Sequence, residues 1–234
     1  MIFCVSSDRG WLITFEGLDG CGKSTQLERL ARTLREQNVA VTATREPGGT
    51  ATGERIRQLL LDTKTSGLNP VAEMALMFAC RSQHVEEVIL PALRAGQIVL
   101  CDRFTDSTEA YQGAGRGLGS EAVLVLHRIL CGNLRPDLTI LMDSDLASSV
   151  ERARRRNQGR GGSETSDENR FELENRAFFA RVQAAYREIA RREPERVVII
   201  DARGTPEETH GKIVEIVTRE ILNKALSRRA QHGP

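Results

Sequence analysis

"FEGLDGCGKSTQ", residues 15–26, decides the fold. It follows an apolar run, "WLITFE" at 11–16, and precedes Leu27, Leu30, Ala31 and Leu34, which recur at helical spacing. Within it, Gly17-Leu18-Asp19-Gly20-Cys21-Gly22-Lys23-Ser24 matches G-x-x-x-x-G-K-[ST] in full, with Thr25 next. Glycines permit positive φ and close backbone approach. Successive N–H groups then converge, with the helix N-terminus, on anionic oxygens. In such a cradle Lys23 reaches the β/γ-phosphates and Ser24 offers its hydroxyl to Mg²⁺. The plain alternative is a glycine-rich turn with an exposed lysine; a strand before and a helix after favour the cradle. Cys21 lies near a helix N-terminus, where a thiolate would be favoured, but reads better as a small residue where alanine would fit.

Four further short apolar runs stand out: "VAVTAT" 39–44, "IVLCD" 98–102, "LTILMD" 138–143 and "VVIID" 197–201. They are nearly continuously apolar, as strands buried on both faces are. Helical spacing lies between and after them: Val85, Val88, Ile89 and Ala92, interrupted by Pro91; Phe178, Val182, Ala185, Tyr186 and Ile189; Ile213, Ile216, Val217 and Ile221. The alternation predicts an α/β fold, a parallel sheet with helices on both faces, and ligands beyond the strands' carboxyl ends. "RNQGRGGSETSDEN" at 156–169 breaks the pattern and reads as a mobile lid or a solvated loop. Residues 1–10 read as an N-terminal extension, 11–223 as one domain with the lid at about 154–170, and 224–234 as a flexible tail.

With 234 residues, one domain is expected. Charge is balanced, 33 Lys+Arg against 32 Asp+Glu, which argues against a nucleic-acid or membrane-surface role. No apolar run is long enough to span a membrane, and residues 1–10 lack the marks of a signal peptide. Five scattered cysteines without C-x-x-C argue against a disulfide framework or zinc site. A reduced cytoplasmic enzyme is expected, with the cysteines as small core residues.

A nucleotide cradle alone leaves open a switch GTPase, an ATP-driven motor or binding module, and a small-molecule kinase. A guanine-reading N-K-x-D is absent, since "NKAL" at 223–226 lacks the acid. Arginines mark a second anion site. Arg45 follows the second strand in "TREPGGT" and Arg103 the third in "CDRF"; both strand ends share the edge of the cradle, where guanidinium groups grip phosphate. Asp102 ends its strand as a Mg²⁺-positioning acid would.

With these residues together, the chain resembles the bacterial thymidylate kinase family over nearly its whole length. The carrying motifs are "FEGLDGCGKST", "TREPGGT", "DRFTDSTEAYQGAGRG" at 102–117, "RPDLTILMD" at 135–143 and "NRFELE" at 169–174. The resemblance implies the P-loop kinase fold: a five-stranded parallel sheet, helices on both faces and an arginine-rich lid. It implies Mg²⁺-dependent transfer of the γ-phosphoryl group of ATP to thymidine 5′-monophosphate, in thymidine triphosphate synthesis, by a homodimer. Residue by residue, it implies ATP contacts from Gly17, Gly20, Cys21, Gly22, Lys23, Ser24 and Thr25. Asp19 matches an acid near the acceptor's ribose and phosphate, and Arg45 and Arg103 match the acceptor-phosphate arginines. Pro47 matches a proline with a cis bond. Arg81 matches the reader of a thymine carbonyl, Thr108 and Gln112 match polar contacts to base and sugar, and Tyr111 matches the ring that crowds the 2′ position. The family's base-stacking aromatic is replaced by Met77, with Phe78 next, and either could floor the base. A transition-state arginine found in some members at the position of Gly20 is missing; "ERARRRNQGR" at 151–160 carries five arginines against one acid. Arg156 matches the lid arginine, with Arg154, Arg160 and Arg170 as helpers. Another nucleoside or nucleotide kinase of this fold, or a nucleotide-binding regulator without transfer, are the alternatives.

Overall fold

The computed structural model describes residues 9–63, 65, 67–147, 149, 151–152 and 170–231. In chain order the elements are β1 (Trp11–Glu16), α1 (Lys23–Glu36), β2 (Val41–Arg45), α2 (Ala51–Leu61), α3 (Pro70–His84), α4 (Leu90–Arg94), β3 (Ile98–Asp102), α5 (Thr105–Thr108), α6 (Ser120–Leu130), β4 (Leu138–Asp143), α7 (Arg176–Arg192), β5 (Val197–Asp201) and α8 (Pro206–Gln231). The strands form one parallel sheet in the order β2-β3-β1-β4-β5. The five predicted strands are therefore present. β2 starts later than the apolar run because Asn38, at φ 60°, turns the chain out of α1.

Successive strand residues face opposite layers. Ile13, Phe15, Leu100 and Ile140 pack with Leu27, Leu30, Ile213 and Val217 under α1 and α8. Leu12, Val99 and Cys101 pack with Met74, Phe78 and Ile89 on the other side. A third cluster joins Leu141 and Val197 to Phe178, Val182, Tyr186 and Ile189 of α7. Pro91 does not break its helix. A π-helical stretch, Val85–Ile89, links α3 to α4, and the Leu90 N–H reaches back to the Val85 carbonyl; the widened turn absorbs a proline that has no N–H to give.

Both chain ends depart from expectation. Arg9 and Gly10, read as extension, belong to the domain: Arg9 makes two bonds to Asp137, at 2.8 and 2.9 Å, and the Gly10 N–H donates to the Leu93 carbonyl. At the other end the helical backbone runs on through Gln231, in keeping with the alanine, leucine and arginine there.

Beneath the sheet edge lies a polar seam. Glu16, fully buried at the end of β1, accepts hydrogen bonds from the Phe104 N–H (2.7 Å), Ser107 Oγ (2.5 Å) and Tyr186 Oη (3.0 Å). Burial, helped by Asp106, pushes its carboxyl up to about 7, against the pull of Ser107 and Arg103. Glu16 thus keeps a proton in the folded chain that it loses in the unfolded one between about pH 4.5 and about pH 7. Its contribution to stability is complete below that window and lost as the pH rises through it. Glu16→Gln, neutral at every pH, should therefore gain on the wild type by up to about 1.4 kcal/mol per pH unit across the window. Urea unfolding at several pH values checks this; a constant difference between the two proteins would refute it.

Candidate active site

The cradle takes its shape from its glycines. Gly17 and Gly22 sit at φ 132° and 98°, and a Cβ on Gly17 would stand 2.6 Å from the Met142 carbonyl oxygen. Only glycine fits this turn at the sheet edge. Lys23 is buried, and its Nζ donates to the carbonyls of Gly17 (3.1 Å) and Leu18 (2.8 Å). Gly20, Gly22, Lys23, Ser24 and Thr25 line a cavity with Arg45, Asp102 and Arg103. The Cys21 side chain is buried in the core with Ile13 and Met142, so only its backbone is available to a phosphate.

Parallel register brings the other strand ends here. Phe15 and Arg45 both pair with Asp102. Ser24 Oγ donates to Asp102 Oδ2 at 2.5 Å, while Asp102 Oδ1 is buried with no partner. A hydroxyl beside a carboxylate with a spare buried oxygen is a donor set that suits a hard divalent cation. Arg45, half-exposed, pairs with Glu54 at 2.9 Å.

Arg103 takes a left-handed backbone, φ 70°. This lets its N–H reach the Phe15 carbonyl while the side chain crosses the site. Its Nη2 bonds Asp19 Oδ1 at 2.7 Å and Tyr111 Oη at 3.2 Å, and its Nη1 bonds Ser107 Oγ at 2.9 Å and Tyr186 Oη at 3.2 Å. Burial opposes the charge on Asp19, but Arg103 and Lys23 outweigh it and hold its carboxyl well below the usual range. Burial pushes the Tyr111 phenol up; its Oη donates to Asp19 Oδ2 at 3.0 Å.

A second cavity opens on the other side of Arg103. Its apolar lining is Leu61, Met77, Tyr111 and Phe171; its polar lining includes Arg81, Thr108 and Gln112. Arg81 is buried, donating Nη2 to the Phe104 carbonyl (3.1 Å) and Thr108 Oγ1 (2.9 Å), and its Nη1 has no partner. Gln112 donates Nε2 to the buried Glu73 at 2.8 Å. Asp19, Glu46, Arg57 and Arg103 border both cavities and form the throat between them.

Besides Gly17 and Cys21, two candidates among the described residues do not line these cavities. Phe78 is fully buried in the core, with the Arg81 guanidinium 5.0 Å from its ring centre, so Met77 and not Phe78 faces the second cavity. Arg170, expected at the donor phosphates, lies instead on Glu73 (2.7 Å) and the Leu60 carbonyl (2.6 Å), where two acceptors draw it away from the cradle. Arg154, Arg156 and Arg160 lie outside the described residues; Arg152 is described, and its Nε reaches the Gly20 carbonyl at 2.9 Å. Sequence reasoning missed Arg57, Phe171 and Tyr186. Phe171 stood within a quoted motif. Tyr186 fits helical core spacing, and nothing local marks Arg57.

The comparisons with known proteins agree with this geometry. A family model described as thymidylate kinase matches residues 15–213. The chain is 48% identical to a thymidylate kinase of Pelobacter propionicus over 214 residues, covering 92% of this chain and 96% of that one. It is 48% identical to one of Desulfovibrio desulfuricans over 219 residues, covering 94% and 98%. The crystal structure of thymidylate kinase from Ehrlichia chaffeensis superposes with a TM-score of 0.70 at 32% identity, covering 90% of this chain and 99% of that one. This chain belongs to the thymidylate kinase family.

Proposed function

We propose that this chain transfers the γ-phosphoryl group of ATP to thymidine 5′-monophosphate. One observation carries the acceptor: the unpartnered, buried Nη1 of Arg81 beside an apolar cavity that meets the phosphate cradle at an arginine-lined throat. A pyrimidine 4-carbonyl would accept from that nitrogen. In this reading the cradle from Gly17 to Thr25 holds the ATP phosphates, and Lys23 supplies charge where it spreads over the γ-oxygens. Ser24 and Asp102 would hold Mg²⁺, which would supply positive charge against the phosphates. Arg45, Arg57 and Arg103 receive the acceptor phosphate at the throat, and Asp19 orients Arg103. Met77 and Phe171 flank the base, Thr108 and Gln112 add polar contacts, and Tyr111 crowds the 2′ position. A pure nucleotide binder would need no such acceptor clamp. The four cysteines among the described residues are free and buried, which fits a reducing cytoplasm.

The acceptor assignment is tested by measuring ADP release with different nucleoside monophosphates at fixed ATP. Cytosine presents an amino group to Arg81, a buried mismatch of about 1–3 kcal/mol. Thymidine monophosphate should exceed cytidine and uridine monophosphates in kcat/KM by about tenfold or more. Equal use of uridine monophosphate, which keeps the 4-carbonyl, would overturn the sugar assignment; equal use of cytidine monophosphate would overturn both the base and the sugar assignments.

A transition-state arginine to add to Lys23 must come from outside the cradle, because Gly20 has no side chain to give. Arg152 reaches the Gly20 carbonyl, and Arg156, outside the described residues, is the proposed catalytic arginine. A guanidinium at the γ-phosphate would offset the charge that develops there. Arg156→Ala should lower kcat by about 10³–10⁵ while leaving acceptor affinity nearly unchanged. Steady-state kinetics beside equilibrium binding of thymidine monophosphate decides; a kcat within a few-fold of wild type rejects Arg156.

The homodimer is also proposed. Val71, Ala75 and Ala79 form one exposed apolar row on α3, and Ile129 stands 69% exposed on the neighbouring α6. A second copy of the chain would cover them. Light scattering should find a dimer, and Ala75→Glu should yield monomers; a wild type that is monomeric at micromolar concentration would refute it.

A further inference from the structure

"TREPGGT" at 44–50 and "RSQH" at 81–84 carry buried polar groups that no step above employs. Glu46 and His84 are almost wholly enclosed. Glu46 Oε2 accepts from Arg81 Nε at 2.6 Å, and Oε1 lies 2.9 Å from His84 Nδ1. A carboxylate can only accept, so Nδ1 carries the proton. Burial opposes the charge on Glu46, yet Arg81 and His84 hold its carboxyl below the usual range. On the far side of the ring, His84 Nε2 is 2.7 Å from Thr44 Oγ1. Gly49 makes room for that ring: at φ +80°, a Cβ there would stand 2.6 Å from His84 Cδ2 and Nε2. Thr44, His84, Glu46 and Arg81 thus form one continuous line that ends on the unpartnered Nη1.

A metal is the competing use, since Glu46, His84 and Cys101 bring ligand atoms within 4.8 Å of one another. Both Glu46 oxygens are already engaged, however, and burial pushes the Cys101 thiol well up, away from the thiolate a metal needs.

We propose that His84 is a positioning residue for base recognition. Through Glu46 it fixes the plane of the Arg81 guanidinium, and so sets the preference for a carbonyl over an amino group at the pyrimidine 4-position. Without His84, Glu46 Oε1 is a buried acceptor with no donor, and the carboxylate is free to turn and carry Arg81 with it. The inference rests on the reading of Arg81 as the base-contacting arginine.

The test compares His84→Asn, whose amide can replace the Nδ1 donor, with His84→Gln, whose amide falls nearer Nε2. His84→Gln should raise KM for thymidine monophosphate about tenfold and narrow the thymidine-to-cytidine ratio in kcat/KM by a similar factor. KM for ATP should stay within about twofold, and His84→Asn should retain most of the discrimination. Equal behaviour of the two variants, parallel loss on the ATP and acceptor sides, or unfolding of both in a thermal melt would overturn the proposal, because a purely structural histidine gives those outcomes. Arg81→Lys separates the two levels. If Arg81→Lys keeps full discrimination, the reading of Arg81 fails. If it loses discrimination while His84→Gln does not, the proposal for His84 alone fails. In the double variant the effect of His84→Gln on discrimination should vanish.

Discussion

The contact between Asp19 and Arg103, at 2.7 Å, joins the two loops on which the site depends. One loop follows β1 and holds the phosphate cradle; the other follows β3 and leads into the helix that carries Thr108 and Tyr111. Neither partner would sit there alone. Asp19 is desolvated and keeps its charge because two cations face it. Arg103 adopts a left-handed backbone that costs on the order of 1–3 kcal/mol unless the surroundings enforce it. Those surroundings are Ser107 and Tyr186, themselves bonded to the buried Glu16. The guanidinium is therefore held in one orientation by side chains already in place.

The sheet explains why so much charge collects in one place. Parallel strands end on a common edge, and the register aligns Phe15, Arg45 and Asp102. Lys23, Arg45, Arg57 and Arg103 would repel one another there; Asp19, Glu46, Glu54 and Asp102 stand among them. These pairs differ in how readily they exchange. Arg81 and Glu46 are sealed at 2% and 3% exposure, whereas Arg45 and Glu54 keep 55% and 41%. An exposed pair contributes little to stability. Arg45 can therefore exchange Glu54 for another anion at small cost, while Arg81 stays fixed on Glu46.

The strands were legible because burial on both faces leaves nearly unbroken apolar runs. The cradle was legible because its backbone demands glycine at fixed spacing. The segment from Thr105 to Gly115 was not legible as helix, because much of its buried face is polar: Thr105, Asp106, Ser107, Glu109 and Gln112 are all enclosed. Periodicity arguments look for apolar residues and pass over a helix whose interior is hydrogen-bonded. Met77 and Phe78 were indistinguishable in sequence; one step of helix rotation puts the first at the cavity and the second in the core. Arg57 and Tyr186 were missed for a different reason. Their partners, Pro47 and Glu16, are set by the tertiary fold, and no local spacing encodes them.

Tyr186 shows what completes the second cavity's support. It belongs to α7, which carries no phosphate motif, yet its hydroxyl touches Glu16, Ser107 and Arg103. The helix must approach closely to reach them, and Gly115 allows it. A Cβ at Gly115 would stand 2.6 Å from the Phe178 ring. The same approach sets the Arg116 guanidinium 4.9 Å from the centre of that ring, where it also bonds Glu73 and Glu174. Glu73 in turn receives Gln112 and Arg170. A missing side chain in the π-helical stretch Glu109–Gly115 thus governs the spacing of two helices. That spacing determines whether Tyr186 can brace Arg103 at one end of the second cavity while Glu73 holds Gln112 at the other. The sharpest constraints on the second cavity are therefore steric and lie outside it.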